Sequence, residues 1–151
     1  MNVKQVLIPT KVVMAGMTVR EVFQECSRVN TPSLPFCDDN GRITGRVTLK
    51  NILTRSCLPE FMIELAIVLG EQLSHMQDMG VETRQLLDSP ADSYVQESHI
   101  SLTSDSPAVK ALAMMERSDT SYIFVVDEGC YLGVVTIHSL ASALADFDNP
   151  S

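Results

Sequence analysis

Tryptophan is absent from this chain of 151 residues, and aromatic residues make up only 5% of it. Any core must therefore be filled by aliphatic side chains rather than stacked rings. Long apolar runs are also missing. The longest, Phe61 to Leu69, is interrupted by Glu64 and falls short of the roughly 18 residues that a membrane-spanning helix needs. Met1–Gln5 is not followed by the apolar segment of a secretory leader, so the expected location is the cytoplasm. Cations are scarce, 11 Lys and Arg against 19 Asp and Glu for a net charge of −8. Phosphate backbones demand clustered cations, so nucleic acid is excluded as a partner. Cys26, Cys37, Cys57 and Cys130 are scattered with no CxxC pair. That argues against a disulfide framework and a zinc site alike.

Catalytic signatures are lacking too. There is no P-loop, GxGxxG or GxSxG, the motifs that cradle phosphates or expose a nucleophile. His75, His99 and His138 have no partner at a recognisable spacing. The expectation is a protein that is not an enzyme, with no catalytic residue and no metal ligand.

What is present is an internal repeat. A shift of 89 lays Val19–Phe36 over Ala108–Val125, and Asp38 over Asp127. One deletion later the shift is 88, and Gly45-Arg46-Val47-Thr48 falls on Gly133-Val134-Val135-Thr136. Each copy reads as a β-α-β-β-α unit, which makes the fold class α+β. A short strand comes first, at Lys11–Met14 and His99–Thr103. A helix follows, opened by Thr18 with Glu21 in a capping-box pattern, or by Ser106 with Pro107 at the first helical position. The expected apolar faces are Val19, Val22, Phe23 and Cys26, then Val109, Leu112, Ala113 and Met115. Hairpins follow. The first pairs Leu34–Cys37 with Arg42–Val47 around Asn40-Gly41, and the second pairs Tyr122–Val126 with Tyr131–Val135 around Asp127–Gly129. The closing helices are Leu49–Arg55 and Ile137–Ala145.

The copies differ in charge. Residues 1–57 hold eight cations and four acids, the rest three cations and fifteen acids. Either an anionic ligand prefers the first copy, or two oppositely charged surfaces pair halves or protomers. Between the copies, Pro59 can start a helix with Phe61, Leu65, Leu69, Leu73 and Met76 on one face. Gly80 ends it, and a short helix covers Glu82–Leu87 before Ser89-Pro90. This segment either packs on its own core or docks a partner.

Leu34-Pro35-Phe36 with Asp38, Gly41–Thr48, Phe124–Asp127 and Leu132–Thr136 together resemble a tandem pair of CBS domains, the Bateman module, of the stand-alone bacterial type. The resemblance implies unit 1 at residues 1–58, a helical insertion at 59–89 and unit 2 at 90–148, the units being related by a pseudo-twofold axis. It implies a regulatory module whose cleft between units binds an adenosine-containing ligand: AMP, ADP, ATP, NAD(H) or S-adenosylmethionine. It also implies a homodimer that regulates a separate enzyme or transporter. No cofactor is obligatory. The alternative is a dimerisation scaffold whose clefts no longer bind.

The family's ligand motif, Gly-h-h-Thr/Ser-x-x-Asp, reads Gly45–Asn51 and Gly133–Ser139 here. Thr48 and Thr136 stand at helix N-caps, beside unpaired N–H groups that favour phosphate oxygens. The motif's aspartate accepts the hydroxyls of a ribose. Here Asn51 offers one oxygen acceptor and two donors, and Ser139 is shorter still. A lost charge-assisted bond costs about 1.5–3 kcal/mol, so binding is expected to be weaker than with two aspartates and better at Asn51. Arg46 and Lys50 would meet phosphates, with His138 as their neighbour in the second site. By correspondence with the family, adenine would lie against Val13, Leu34 and Pro35, or against Leu102, Tyr122 and Ile123.

Overall fold

The computed structural model describes residues 1–58, 60–73, 82–98 and 100–147. In the first copy, α1 (Val19–Val29) precedes β1 (Ser33–Cys37), β2 (Ile43–Thr48) and α2 (Leu49–Cys57). Thr18 caps α1, its hydroxyl oxygen accepting the Glu21 N–H at 3.2 Å. Asn30 ends the helix in the left-handed region, at φ 57°. The hairpin turn is held by the Asp38 carboxylate, which accepts the N–H groups of Asn40 at 2.9 Å and Arg42 at 3.0 Å.

The connection contains α3 (Ile63–Leu73), α4 (Thr83–Asp88) and β3 (Gln96–Glu97). The second copy then runs β4 (Ser101–Leu102), α5 (Ala108–Ser118), β5 (Tyr122–Asp127), β6 (Cys130–Thr136) and α6 (Ile137–Ala145). Its hairpin turns through Glu128 and Gly129, both at positive φ, the backbone that matches strand twist in a two-residue loop. Among the described residues these strands form two three-stranded sheets, ordered β1-β2-β3 and β4-β5-β6.

The copies exchange their leading segments. Val3 donates its N–H to the Ser106 carbonyl at 3.0 Å, and Ala108 donates to the Met1 carbonyl at 2.9 Å. Ile8 and Val134 bond reciprocally. The pseudo-symmetric contacts lie on the first copy: Ala91 to Met17 at 2.7 Å, Val19 to Ser89 at 3.0 Å, and β3 along β2. Each core is completed this way. Val13, Val19, Val22, Leu34, Val47 and Ile52 take in Leu86 and Ala91. Leu102, Ala111, Met115, Ile123, Val125 and Val135 take in Val3 and Val6. Burying one such valine contributes about 1.5–3 kcal/mol. Glycine is required where the exchanged segments cross. A Cβ on Gly45 would lie 2.5 Å from the Gln96 carbonyl oxygen, and one on Gly133 2.6 Å from that of Ile8.

Three expectations need correction. The strand expected at Lys11–Met14 is a single bridge, Val13 opposite Phe36. Proline explains it: the next rung would need an N–H from Pro35, which has none. The equivalent rung exists in the second copy, where Ser101 pairs with Phe124. Next, α5 is capped by Pro107 rather than Ser106, with no side-chain cap bond. The leading segment serves instead, through the Met1 carbonyl. That one-residue change turns the helix by about 100°. Ala108, Ala111 and Met115 are buried, and Val109 and Leu112 face solvent.

The connecting helix is not one regular run: a 3-10 turn at Glu60–Met62 precedes α3, which kinks at Leu69. Pro59, Met76 and Gly80 lie outside the described residues. Of the two possibilities for this segment, packing on its own core holds for α4. Leu86 of α4 is buried in the first core and Arg20 pairs with Asp88 at 3.2 Å. On α3, Ile67 and Val68 are each 72% exposed.

Candidate functional site

β2 ends at Thr48 and α2 starts one residue later, so the strand delivers a helix N-terminus to the seam between the copies. The Thr48 hydroxyl oxygen accepts the Asn51 N–H at 3.0 Å. β6 and α6 repeat the arrangement, with Thr136 accepting from Ser139 at 2.9 Å. The remaining first-turn N–H groups carry the positive end of each helix dipole.

Each N-terminus opens into a cavity built from both copies. The first, about 370 Å³, is lined by Arg46, Thr48, Lys50, Asn51 and Thr54, by Pro32 and Gln96, and by Asp119, Thr120, Ser121 and Tyr122. The second, about 650 Å³, is lined by Thr136, Ile137, His138 and Ala141, by Cys26, Ser27, Asn30, Thr31, Pro32 and Leu49, and by Ser121. Both volumes suit a small molecule. Pro32 and Ser121 line both cavities and form their shared wall.

The structure thus gathers Arg46, Thr48, Lys50, Asn51 and Tyr122 in one cavity, and Thr136 and His138 in the other. Val13, Leu34 and Pro35 are buried in the first core, and Leu102 and Ile123 in the second. None of these five lines either cavity. Ser139 is also turned inward. Its hydroxyl accepts the Thr136 N–H at 2.9 Å and donates to the Thr136 carbonyl at 3.0 Å, a closed capping box. Asn51 donates its amide to the Tyr94 carbonyl at 3.2 Å. That bond ties α2 to the segment 91–94, as does Arg55, which donates to the Ser93 carbonyl at 2.9 Å. An aspartate at position 51 could not make this contact, because a carboxylate has no donor.

Arg46 reaches from the first copy to the second across the first cavity. One guanidinium nitrogen donates to the Tyr122 hydroxyl at 2.7 Å, bridging the copies. Its Nε is buried without a partner, and no carboxylate among the described residues pairs with it. At the matching position the second copy has Val134, wholly buried.

Cys26 is buried. Burial above all, with the Glu25 charge adding, pushes its thiol up to about 12, so it stays protonated. Glu25 is held below the usual carboxylate range chiefly by the Arg28 guanidinium, bonded at 2.7 and 2.8 Å, against the opposing effect of burial. The Lys11 N–H adds a bond at 2.7 Å. Among the described residues no cluster of metal-ligating side chains occurs, and no helix is long and apolar enough to cross a membrane.

Sequence reasoning overlooked the loop between each copy's first helix and its hairpin. Asn30-Thr31-Pro32 of the first copy lines the second cavity, and Asp119-Thr120-Ser121 of the second copy lines the first. The signal was there: two polar triplets one shift apart, each opening on a residue suited to positive φ.

A sequence profile of the CBS domain matches residues 3–57 and 91–146. No curated protein matches the sequence. Solved structures do share the fold. One, described as CBSX2 in complex with AMP, has a TM-score of 0.64 at 16% identity, covering 98% of each chain. The CBS domain pair of protein MJ0100, in complex with 5′-methylthioadenosine and S-adenosyl-L-methionine, gives 0.61 at 16%, covering 97% of this chain and 98% of the other. The CBS domain of a membrane protein from Sphaerobacter thermophilus gives 0.64 at 19%, covering 92% and 84%. With the profile matching both copies and their geometry repeated about the shared cleft, the chain belongs to the CBS domain family, as a tandem pair.

Proposed function

We propose that this CBS pair is a regulatory module that binds an adenosine-containing ligand in the cleft between its units and relays occupancy to a partner. The observation that carries this reading is the first cavity. There a Thr48-capped helix N-terminus, Lys50 and Arg46, whose buried Nε lacks a partner, meet a wall supplied by the other copy. A ligand filling that space touches both units, so it favours the arrangement of units that fits it best. The complexes of CBSX2 with AMP and of MJ0100 with S-adenosyl-L-methionine support the ligand class. A homodimer, a cytoplasmic location, control of a separate enzyme or transporter, and the lack of catalysis belong to the same proposal. The exposed apolar side chains of Val109, Ile137 and Leu144 suit a subunit contact.

A second reading, a scaffold with non-binding clefts, is favoured by Ser139, whose hydroxyl is engaged within the protein, and by Asn51, whose amide nitrogen is. Thermal-shift measurements with AMP, ADP, ATP, NADH and S-adenosylmethionine separate the two. Ligand binding raises Tm by mass action. No shift at millimolar ligand, on protein shown to be folded, leaves only the scaffold.

A further inference from the structure

The first cavity contains charges of both signs that do not pair with each other. Arg46 and Lys50 line it from the first copy, and Asp119 from the second. Among the described residues the exposed Asp119 carboxylate has no ion-pair or hydrogen-bond partner. Neither cation is within ion-pair distance of it. The fold does not demand these charges. Their repeat counterparts are Val134 for Arg46, His138 for Lys50 and Asn30 for Asp119, in the same backbone setting. Asp119 and Asn30 even share the left-handed conformation, at φ 52° and 57°.

A buried guanidinium nitrogen without a partner is unfavourable, and Arg46, with the exposed Lys50 and Asp119 lining the same cavity, suits a ligand with matching groups. The cations match a phosphate. The carboxylate, an acceptor only, matches a pair of hydroxyls. Asn51 offers those hydroxyls only its single amide oxygen, because its amide nitrogen is committed to the Tyr94 carbonyl.

Building on the proposed adenosine site, we propose that the first cavity takes a ribonucleoside phosphate held from both copies. Its phosphate lies on Arg46 and Lys50, and its ribose diol on Asp119, which replaces the carboxylate that position 51 lacks. The ligand class is thereby narrowed to anionic ribonucleotides. The sulfonium cation of S-adenosylmethionine meets Arg46 and is disfavoured. Because the two ends of the ligand are held by different copies, removing either contact weakens binding and also loosens the bridge between units.

Calorimetric titration of the full chain tests this, with AMP, ADP and ATP as probes, then 2′-deoxyAMP and adenosine. The expected result is that a ribonucleotide binds. Loss of the 2′-hydroxyl or of the phosphate should each weaken it by about tenfold or more, the size of one charge-assisted bond. Asp119→Asn, which keeps the left-handed backbone, should abolish the preference for ribose over 2′-deoxyribose and leave the preference for phosphate. Arg46→Val should do the reverse. A ribonucleotide that binds Asp119→Asn as tightly as the parent, with ribose preference intact, overturns the role of Asp119 and leaves the adenosine site standing. Adenosine or S-adenosylmethionine binding as tightly as AMP to the parent overturns the anionic ligand class alone. If no adenosine compound binds folded parent protein, this inference and the proposed function fall together.

Discussion

The two cavities share a wall at Pro32 and Ser121 and are built from equivalent elements, yet they differ in chemistry. The first carries Arg46, Lys50, Gln96 and Asp119. The second has at the matching positions Val134, His138, Ile8 and Asn30, of which only His138 and Asn30 line it. The second is also larger and closes its motif inward, with Ser139 bound to the Thr136 backbone. The repeat therefore preserves what the fold needs: the Thr caps, the crossing glycines and the apolar strands. It frees the lining to diverge, because a residue facing a cavity has few packing neighbours to satisfy. Divergence at equivalent positions thus separates residues kept for folding from residues available for a ligand.

Substitutions that act on both copies alike should have the largest effect. Gly45→Ala and Gly133→Ala each force a Cβ against a backbone carbonyl of the exchanged segment. Each should destabilise by about 2–3 kcal/mol, lowering Tm by roughly 5–10 °C. A large difference between the two in calorimetry would show that the exchanged segments are not equally anchored. Next comes a substitution that makes the copies alike. Arg46→Val installs the second copy's residue and removes an uncompensated nitrogen. The ligand-free protein should be unchanged or more stable, by about 1 kcal/mol. Marked destabilisation in urea titration would mean that the Tyr122 bond is structural.

The caps sharpen the contrast further. Thr136→Ala should cost about 1–2 kcal/mol and Thr48→Ala about 0.5–1 kcal/mol. Only Thr136 is buried within a reciprocal box with Ser139, and equal losses would remove that distinction. The smallest effect concerns pH. Glu25 stands where the second copy has Met114, and its folded carboxyl titrates below its ordinary value, chiefly because of Arg28. Its stabilisation is therefore complete above the unfolded carboxyl range and is lost as pH falls through the lowered folded value. Glu25→Gln should flatten the acid limb of Tm against pH and leave the shape above pH ~5 unchanged.

Much of this was legible in the sequence. The repeat, the hairpins, the closing helices and both Thr caps follow from local chemistry: capping residues, tight-turn glycines and alternating apolar strands. The β-bridge at Val13 was misjudged because its limit is set by Pro35, a residue on the partner strand. The face of α5 was misjudged because its sequence, Ala-Val-Lys-Ala-Leu-Ala-Met-Met, is apolar almost all round, so one residue at the cap decides which side is buried. Arg46, Thr48, Lys50 and Asn51, which line the first cavity, were singled out through the motif. Asp119 was not, because it lies on a different copy and its place in the first cavity depends on how the copies pack. The exchange of leading segments was equally hidden, since no local pattern records which copy Val3 or Ala91 will complete.

The most direct test is the stoichiometry of AMP binding to the intact chain by isothermal titration. The unequal cavities predict one tight site per chain, weakened about tenfold or more on Arg46→Val, with any second site weaker by at least tenfold, about 1.4 kcal/mol. Two equivalent sites per chain, or a tight site that survives Arg46→Val and is lost on Thr136→Ala, would contradict the account.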